Sequence, residues 1–220
     1  ALPIYQYYRE FAPDEGDTAA LRNQAAALSN KGNLLQAQGD LAGARQAFGE
    51  ALAISLRLAK CDRSNQLWQL DLASNHTNLG RVLLAQGDLD AAEQALIAAF
   101  MIVDTGARAH PDSVEWQSRR STSLVDIAQT NVHRGDLTAA LKGLRMSREI
   151  VHELAEAYPE DSNFQLAEAY RDAQIADILS EQNDFPSALA NYRDALAKAK
   201  QANTIHPADL PAQSSIAYYQ

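Results

Sequence analysis

The chain is short of most of what carries chemistry in a sequence. Its 220 residues include a single cysteine, Cys61, which rules out an internal disulfide and a multi-cysteine metal site. Cys61 closes an apolar helical stretch, so it is expected to be a small buried hydrophobe rather than a reactive thiol. No uncharged apolar run approaches the ~20 residues that cross a bilayer, and no secretory signal pattern is present. His76, His110, His133, His152 and His206 are scattered, with no HExxH pair for zinc. His152 and Glu156 share a helix face, which alone does not make a metal site. There is no GxSxG turn, no GxGxxG and no GxxxxGK[ST]. The expectation is a protein that is not an enzyme and uses no cofactor. A net charge of −9 argues against nucleic acid and anionic membrane as partners. Nothing fixes a compartment, and a cytoplasmic setting is favoured.

What the sequence does have is a period. Gly39-Asp40-Leu41, Gly87-Asp88-Leu89, Gly135-Asp136-Leu137 and Asn183-Asp184-Phe185 follow one another at intervals of 48 residues (87−39, 135−87, 183−135). Repeats of roughly 20–50 residues signal an array of units that pack on their neighbours. A second landmark keeps the same interval: Trp68-Gln69, Trp116-Gln117 and Phe164-Gln165, with Ala212-Gln213 as a fourth copy. Pro111, Pro159 and Pro207 make a third, each after His110, Tyr158 or His206.

Between these landmarks apolar residues fall at helical spacing, as with Leu79, Val82 and Leu83, then Leu89, Ala92, Leu96 and Ala99. Each unit therefore reads as helix, tight turn, helix, loop. First helices are expected at 18–38, 65–86, 113–134 and 162–182, and second helices at 40–60, 88–109, 136–157 and 184–204. Asn65, Ser113 and Ser162 are expected to cap first helices. Gly39, Gly87, Gly135 and Asn183 suit a left-handed C-terminal residue, and the Asp after each suits the next N-cap. The prolines, lacking an amide hydrogen, stop the second helices. Trp68 and Trp116 are expected in the core, covering the preceding second helix.

The small and large positions resemble the tetratricopeptide repeat. A small residue inside each first helix (Gly32, Gly80, Ala128, Ala176) stands 12 residues before one in the second (Ala44, Ala92, Ala140, Ala188). A bulky residue follows (Phe48, Leu96, Leu144, Tyr192), then another small one (Ala51, Ala99, Ser147, Ala195). The resemblance covers residues 17–205 and implies an all-α, right-handed α-α superhelix, a solenoid of antiparallel helix pairs. The units are repeat 1 at 17–61, repeat 2 at 62–109, repeat 3 at 110–157 and repeat 4 at 158–205, with caps or partial repeats at 1–16 and 206–220. The family's usual period is about 34 residues. The 14 extra residues here resemble the extended repeats of large bacterial multidomain signalling proteins, and His76 and Asp172 stand where the family places a bulky apolar residue.

The resemblance also implies a function: a non-catalytic interaction module holding a peptide or protein segment in a concave groove lined by first helices. The groove candidates are Asn30, Asn78, Asp126 and Gln174, with Asn33, Arg81, Gln129 and Asp177 one turn on. An Asn or Gln both donates to and accepts from a peptide bond, which suits an extended backbone. The two-carboxylate clamp of some members is absent, since Ser29, Thr122 and Asp126 stand at its cationic places, and Asn33 and Asn78 alone match its polar ones. Asp172, Asp177 and Glu181 along one helix suggest a basic partner segment. Residues 17–61 carry five Lys/Arg against three Asp/Glu, and residues 158–205 four against eight, a gradient able to orient a partner. Two alternatives are a spacer that self-associates through its ends, motivated by Tyr5, Tyr7, Tyr8, Tyr218 and Tyr219, and a ligand-responsive regulatory repeat domain.

Overall fold

A Gly-Asp or Asn-Asp step turns every hairpin, and one aspartate serves both helices that meet there. The structure, a computed structural model, describes residues 17–205, 211 and 213–215. Residues 17–205 form eight α-helices, and no described residue lies in a strand: α1 (Thr18–Ala37), α2 (Leu41–Cys61), α3 (Gln66–Ala85), α4 (Leu89–Ala109), α5 (Val114–Arg134), α6 (Leu137–Ala157), α7 (Ser162–Glu181) and α8 (Phe185–Ile205). First helices begin at 18, 66, 114 and 162, a step of 48 each time (66−18, 114−66, 162−114). Between α1 and α2, α3 and α4, α5 and α6, and α7 and α8, a residue with φ between +63° and +82° reverses the chain. The Asp40, Asp88, Asp136 and Asp184 amides donate back to the carbonyls of Leu35, Leu83, Asn131 and Leu179 at 2.9–3.0 Å. Their carboxylates then accept from the amides of Gly43, Ala91, Ala139 and Ser187. The first group closes a Schellman turn and the second caps the next helix.

The chain divides into two compact units, one ending at His110 and the other starting at Pro111. The first holds two hairpins, α1–α2 and α3–α4, and α3 also packs on α2. Close helix approach is set by glycine. A Cβ on Gly32 would lie 2.6 Å from the Phe48 ring, and one on Gly80 2.6 Å from Leu96 Cγ. Phe48 and Leu96 are almost fully buried in consequence. Trp68 rests on a cluster of Leu21, Leu28, Ile54 and Leu58, so it does cover the end of α2.

The second unit repeats this with α5–α6 and α7–α8, and α7 packs on α6. Its core joins Ala128, Leu141 and Leu144 to Ile175, Ile178 and Leu179, with Ala188 from α8. Trp116 is buried, as its sequence position implies.

Two sequence expectations need correction. Asp161, not Ser162, caps α7: the carboxylate accepts from the Asn163 amide at 3.0 Å, while Ser162 becomes the first helical residue and is buried. Cys61 is exposed. The buried stripe of α2 runs through Ala51, Ile54, Ser55, Leu58 and Ala59, and residue 61 falls off it. The Tyr-rich ends, Pro207 and His206 lie outside the described residues.

The glutamine of each Trp/Phe-Gln pair has a role that its sequence position did not disclose. The side-chain amides of Gln69, Gln117 and Gln165 donate to the carbonyls of Arg63, Pro111 and Pro159, each six residues back, at 3.1–3.4 Å. The loops entering α3, α5 and α7 are thus each tied to the start of the helix that follows.

Candidate functional site

In the first unit α1 and α3 enclose a polar recess of about 240 Å³. Its floor is satisfied from within. The Ser29 hydroxyl donates to Asn75 Oδ1 at 2.6 Å, and Asn75 Nδ2 donates to Ser55 Oγ at 2.6 Å, joining α1, α3 and α2. At one end the Arg22 guanidinium forks onto Asp71, with Nε at 2.5 Å and Nη2 at 3.4 Å. The hydrogen bond to Asp71 raises the Arg22 pKa further, so the pair stays charged and internally neutral.

Asn30 and Asn78 also line this recess, Asn30 exposed and Asn78 half-buried. Among the described residues neither side-chain amide has a hydrogen-bond partner in the chain. They occupy equivalent positions on neighbouring first helices (78−30 = 48). The structure therefore brings together two unspent amides above a floor whose polar groups are already paired.

In the second unit a recess of about 510 Å³ is lined by Tyr170, Arg171, Gln174, Asp177, Ser214 and Ser215. Gln174 and Asp177 were both expected on a binding surface, but each is engaged. Arg171 Nη1 donates to Gln174 Oε1 at 3.4 Å, and the Tyr192 hydroxyl donates to Asp177. Arg171 Nε also donates to Ser147 Oγ at 2.9 Å. Burial pulls the Arg171 pKa down, and the nearby Asp126 charge opposes that pull.

Two acidic residues read as groove or partner-facing are interior. Asp126 is only 5% exposed, with Arg171 as its countercharge. Asp172 is fully buried, bonded to Lys198 of α8 and 3.3 Å from Arg148 Nη1 of α6. Lys198 Nζ also lies 2.9 Å from Glu168, whose carboxylate meets His152 Nδ1 at 3.0 Å. A charge in that position needs partners from both flanking helices, so Asp172 is spent holding α6, α7 and α8 together. Only Asp177 and Glu181 of that acidic row are exposed. His76, at the equivalent place in α3, has a buried Nδ1 with no hydrogen-bond partner, and burial lowers its pKa.

Asn33, Arg81 and Gln129 are exposed on their helices and line neither recess. Sequence reasoning missed Arg22, Asp71, Asn75 and Arg171. The 49-residue separation of Arg22 and Asp71, one beyond the period, was the available signal for that pair. Among the described residues no group of three or more His, Cys, Asp or Glu is placed to hold a metal. No described helix is long and apolar enough to cross a membrane.

Comparison with known proteins agrees with this geometry. Two solved structures share the fold: BtubC (BKLC) from P. vanneervenii, with a TM-score of 0.67 at 14% identity over 99% of this chain and 86% of that one; and the apo form of RapI, with 0.64 at 11% over 100% and 74%. A search by sequence among curated proteins gives no match. Two family models, each described as a tetratricopeptide repeat, match residues 24–60 and 73–102, which span the hairpin cores of α1–α2 and α3–α4. These matches and the paired helices support tetratricopeptide repeats in this chain, a kind of repeat that in general mediates protein–protein interaction.

Proposed function

We propose that the first unit binds an extended segment of another protein across Asn30 and Asn78. The observation that carries this reading is the pair of unpartnered amides at equivalent positions of α1 and α3. Neighbouring helix axes lie ~8–10 Å apart, and an extended chain advances ~3.3 Å per residue, so the two amides meet its backbone about three residues apart. Each amide donates to a carbonyl and accepts from an N–H of the bound segment. Recognition is then of main chain more than of side chains. Because Arg22 and Asp71 neutralise each other, the recess adds no preference for a charged ligand. The mechanism is complementarity of shape and hydrogen bonding, and no reaction is involved.

The test uses the full chain and a peptide selected from a random displayed library. Asn30→Ala with Asn78→Ala removes up to four hydrogen bonds of ~1 kcal/mol each, so affinity falls about 30-fold or more. Both residues are solvent-accessible, so the melting curve stays where it was. Equal affinity for the double variant refutes the reading, and a lost fold shows the two amides to be structural.

A further inference from the structure

One ion pair of the first unit has lost its cation in the second. The Arg45 guanidinium of α2 reaches the α3–α4 turn, where Nη1 donates to Gln86 Oε1 at 3.4 Å and lies 3.7 Å from Asp88 Oδ2. Arg45 and Asp88 keep side chains 51% and 43% exposed, so the place opens to solvent even when filled. Two 48-residue periods on, the acceptors return as Gln182 (182−86) and Asp184 (184−88), but Leu141 (141−45) stands where the arginine was. Leu141 packs into the core with Leu179. What is left above these two leucines is a recess of about 610 Å³ between α6 and the α7–α8 turn.

The polar walls of this recess are unspent. Asp184 gives one carboxylate oxygen to the Ser187 amide as the cap of α8 and keeps the other. Among the described residues, the side chains of Gln182, Lys142, Arg145 and Glu149, which also line it, have no hydrogen-bond or ion-pair partner. Leu179 meets Leu141, so Gln182 and Asp184 stand beside the start of α6, with Lys142 and Arg145 next along it. We infer that the recess binds a segment of a partner protein that presents an arginine to Gln182 and Asp184 and, about one helical turn away, a carboxylate to Lys142 and Arg145. The arginine takes the place that Arg45 fills in the first unit. The carboxylate offsets the repulsion that Lys142 and Arg145 would exert on a lone cation. No later helix takes part: α2 and the α3–α4 turn supply Arg45, Gln86 and Asp88, and α6 and the α7–α8 turn line the recess.

Three labelled alanine-rich helical peptides test this against the full chain by fluorescence anisotropy. The first carries an arginine and, one turn on, a glutamate; the second has alanine for the arginine, and the third alanine for the glutamate. The first is expected to bind saturably, and each of the others about fivefold more weakly. Asp184→Asn keeps the α8 cap, since asparagine caps as well as aspartate. It should weaken the first peptide about fivefold, leave the second unchanged and not move the melting curve. Leu141→Arg, which copies Arg45, should fill the recess from within and abolish binding; if that variant misfolds, Asp184→Asn decides. Equal binding of the first two peptides, undiminished binding to Asp184→Asn, or no saturable binding at all overturns the proposal. Binding of the third, cationic peptide as tight as the first means diffuse attraction to an acidic protein and overturns it too. A mass by light scattering that grows with concentration, and that Asp184→Asn abolishes, assigns the recess to a second copy and overturns it as well.

Discussion

Replacing Lys198 by methionine removes an ammonium and keeps the aliphatic stem that packs beside it. Lys198 Nζ lies 2.9 Å from Glu168 and is bonded to Asp172, and these carboxylates are 6% and 0% exposed. The variant leaves both buried charges with only Arg148 and His152 nearby. Breaking a buried pair by deleting one partner costs ~3–5 kcal/mol. The Lys198 side chain is 25% exposed and Arg148 remains, which places the cost near the lower end, about 3 kcal/mol. Asp172→Leu behaves differently: it inserts the side chain that Leu28 and Leu124 supply at this position and leaves Lys198 paired with Glu168. Its cost should be smaller than that of Lys198→Met, because the cations it leaves are part-exposed, Lys198 keeps Glu168, and no buried carboxylate is left without its ammonium. The assay is urea unfolding of the second unit, followed by Trp116 fluorescence in a Trp68→Phe background. With a slope of ~2 kcal/mol/M, Lys198→Met should lower the midpoint by about 1.5 M. A Lys198→Met variant within about 1 kcal/mol of the parent, or an Asp172→Leu variant worse than it, would refute the reasoning.

Four further outcomes are expected. Burial disfavours the Lys198 charge, yet its bonds to Asp172 and Glu168 prevail and raise its pKa above the ordinary 10.5. The stabilisation is therefore complete below pH 10.5 and lost as pH rises through the folded value, a decline in urea midpoint that Lys198→Met should lack. His76, its pKa lowered by burial, gives stability that is present above pH 6.5 and fades as pH falls through the folded value; His76→Leu should remove that acid limb and raise stability by about 1–2 kcal/mol, read by melts at pH 5 and 8. In Gly80→Ala the new methyl must displace Leu96, an overpacking cost of ~1–3 kcal/mol offset by ~1 kcal/mol of helix propensity, so a lower melting temperature is expected and a rise would show the hairpin to be loosely packed. Gly135→Ala meets no neighbouring atom but must hold φ +78°, costing ~1–2 kcal/mol in the same assay.

The backbone of this protein is readable in its sequence because its punctuation is local. Left-handed glycines, the aspartates after them and the prolines beyond the second helices each act within one turn, and the expected helix limits fall within one residue of the observed ones. The site was half legible for the opposite reason. Asn30 and Asn78 sit where equivalence puts them, since neither depends on a distant partner. Asp126 and Asp172 share the polarity of groove residues, but the cations that draw them inward lie on other helices, 45 and 26 residues away (171−126, 198−172). Helical periodicity marks which face a residue occupies. It does not say whether a charge on that face is met by solvent or by a lysine from the next hairpin. Gln69, Gln117 and Gln165 stand out in the sequence as a pattern, but the loop carbonyls they hold are evident only in the fold.

The ion cluster around Asp172 makes the modules of this array non-interchangeable. A designer who excised residues 158–205 and reinserted them after repeat 1 would set Asp172 beside Leu52, the residue of repeat 1 equivalent to Arg148, and so remove one of its cations. The hairpins share a common outline, but at least one of them carries an address, so their order along the chain is itself encoded in charges that meet between the helices.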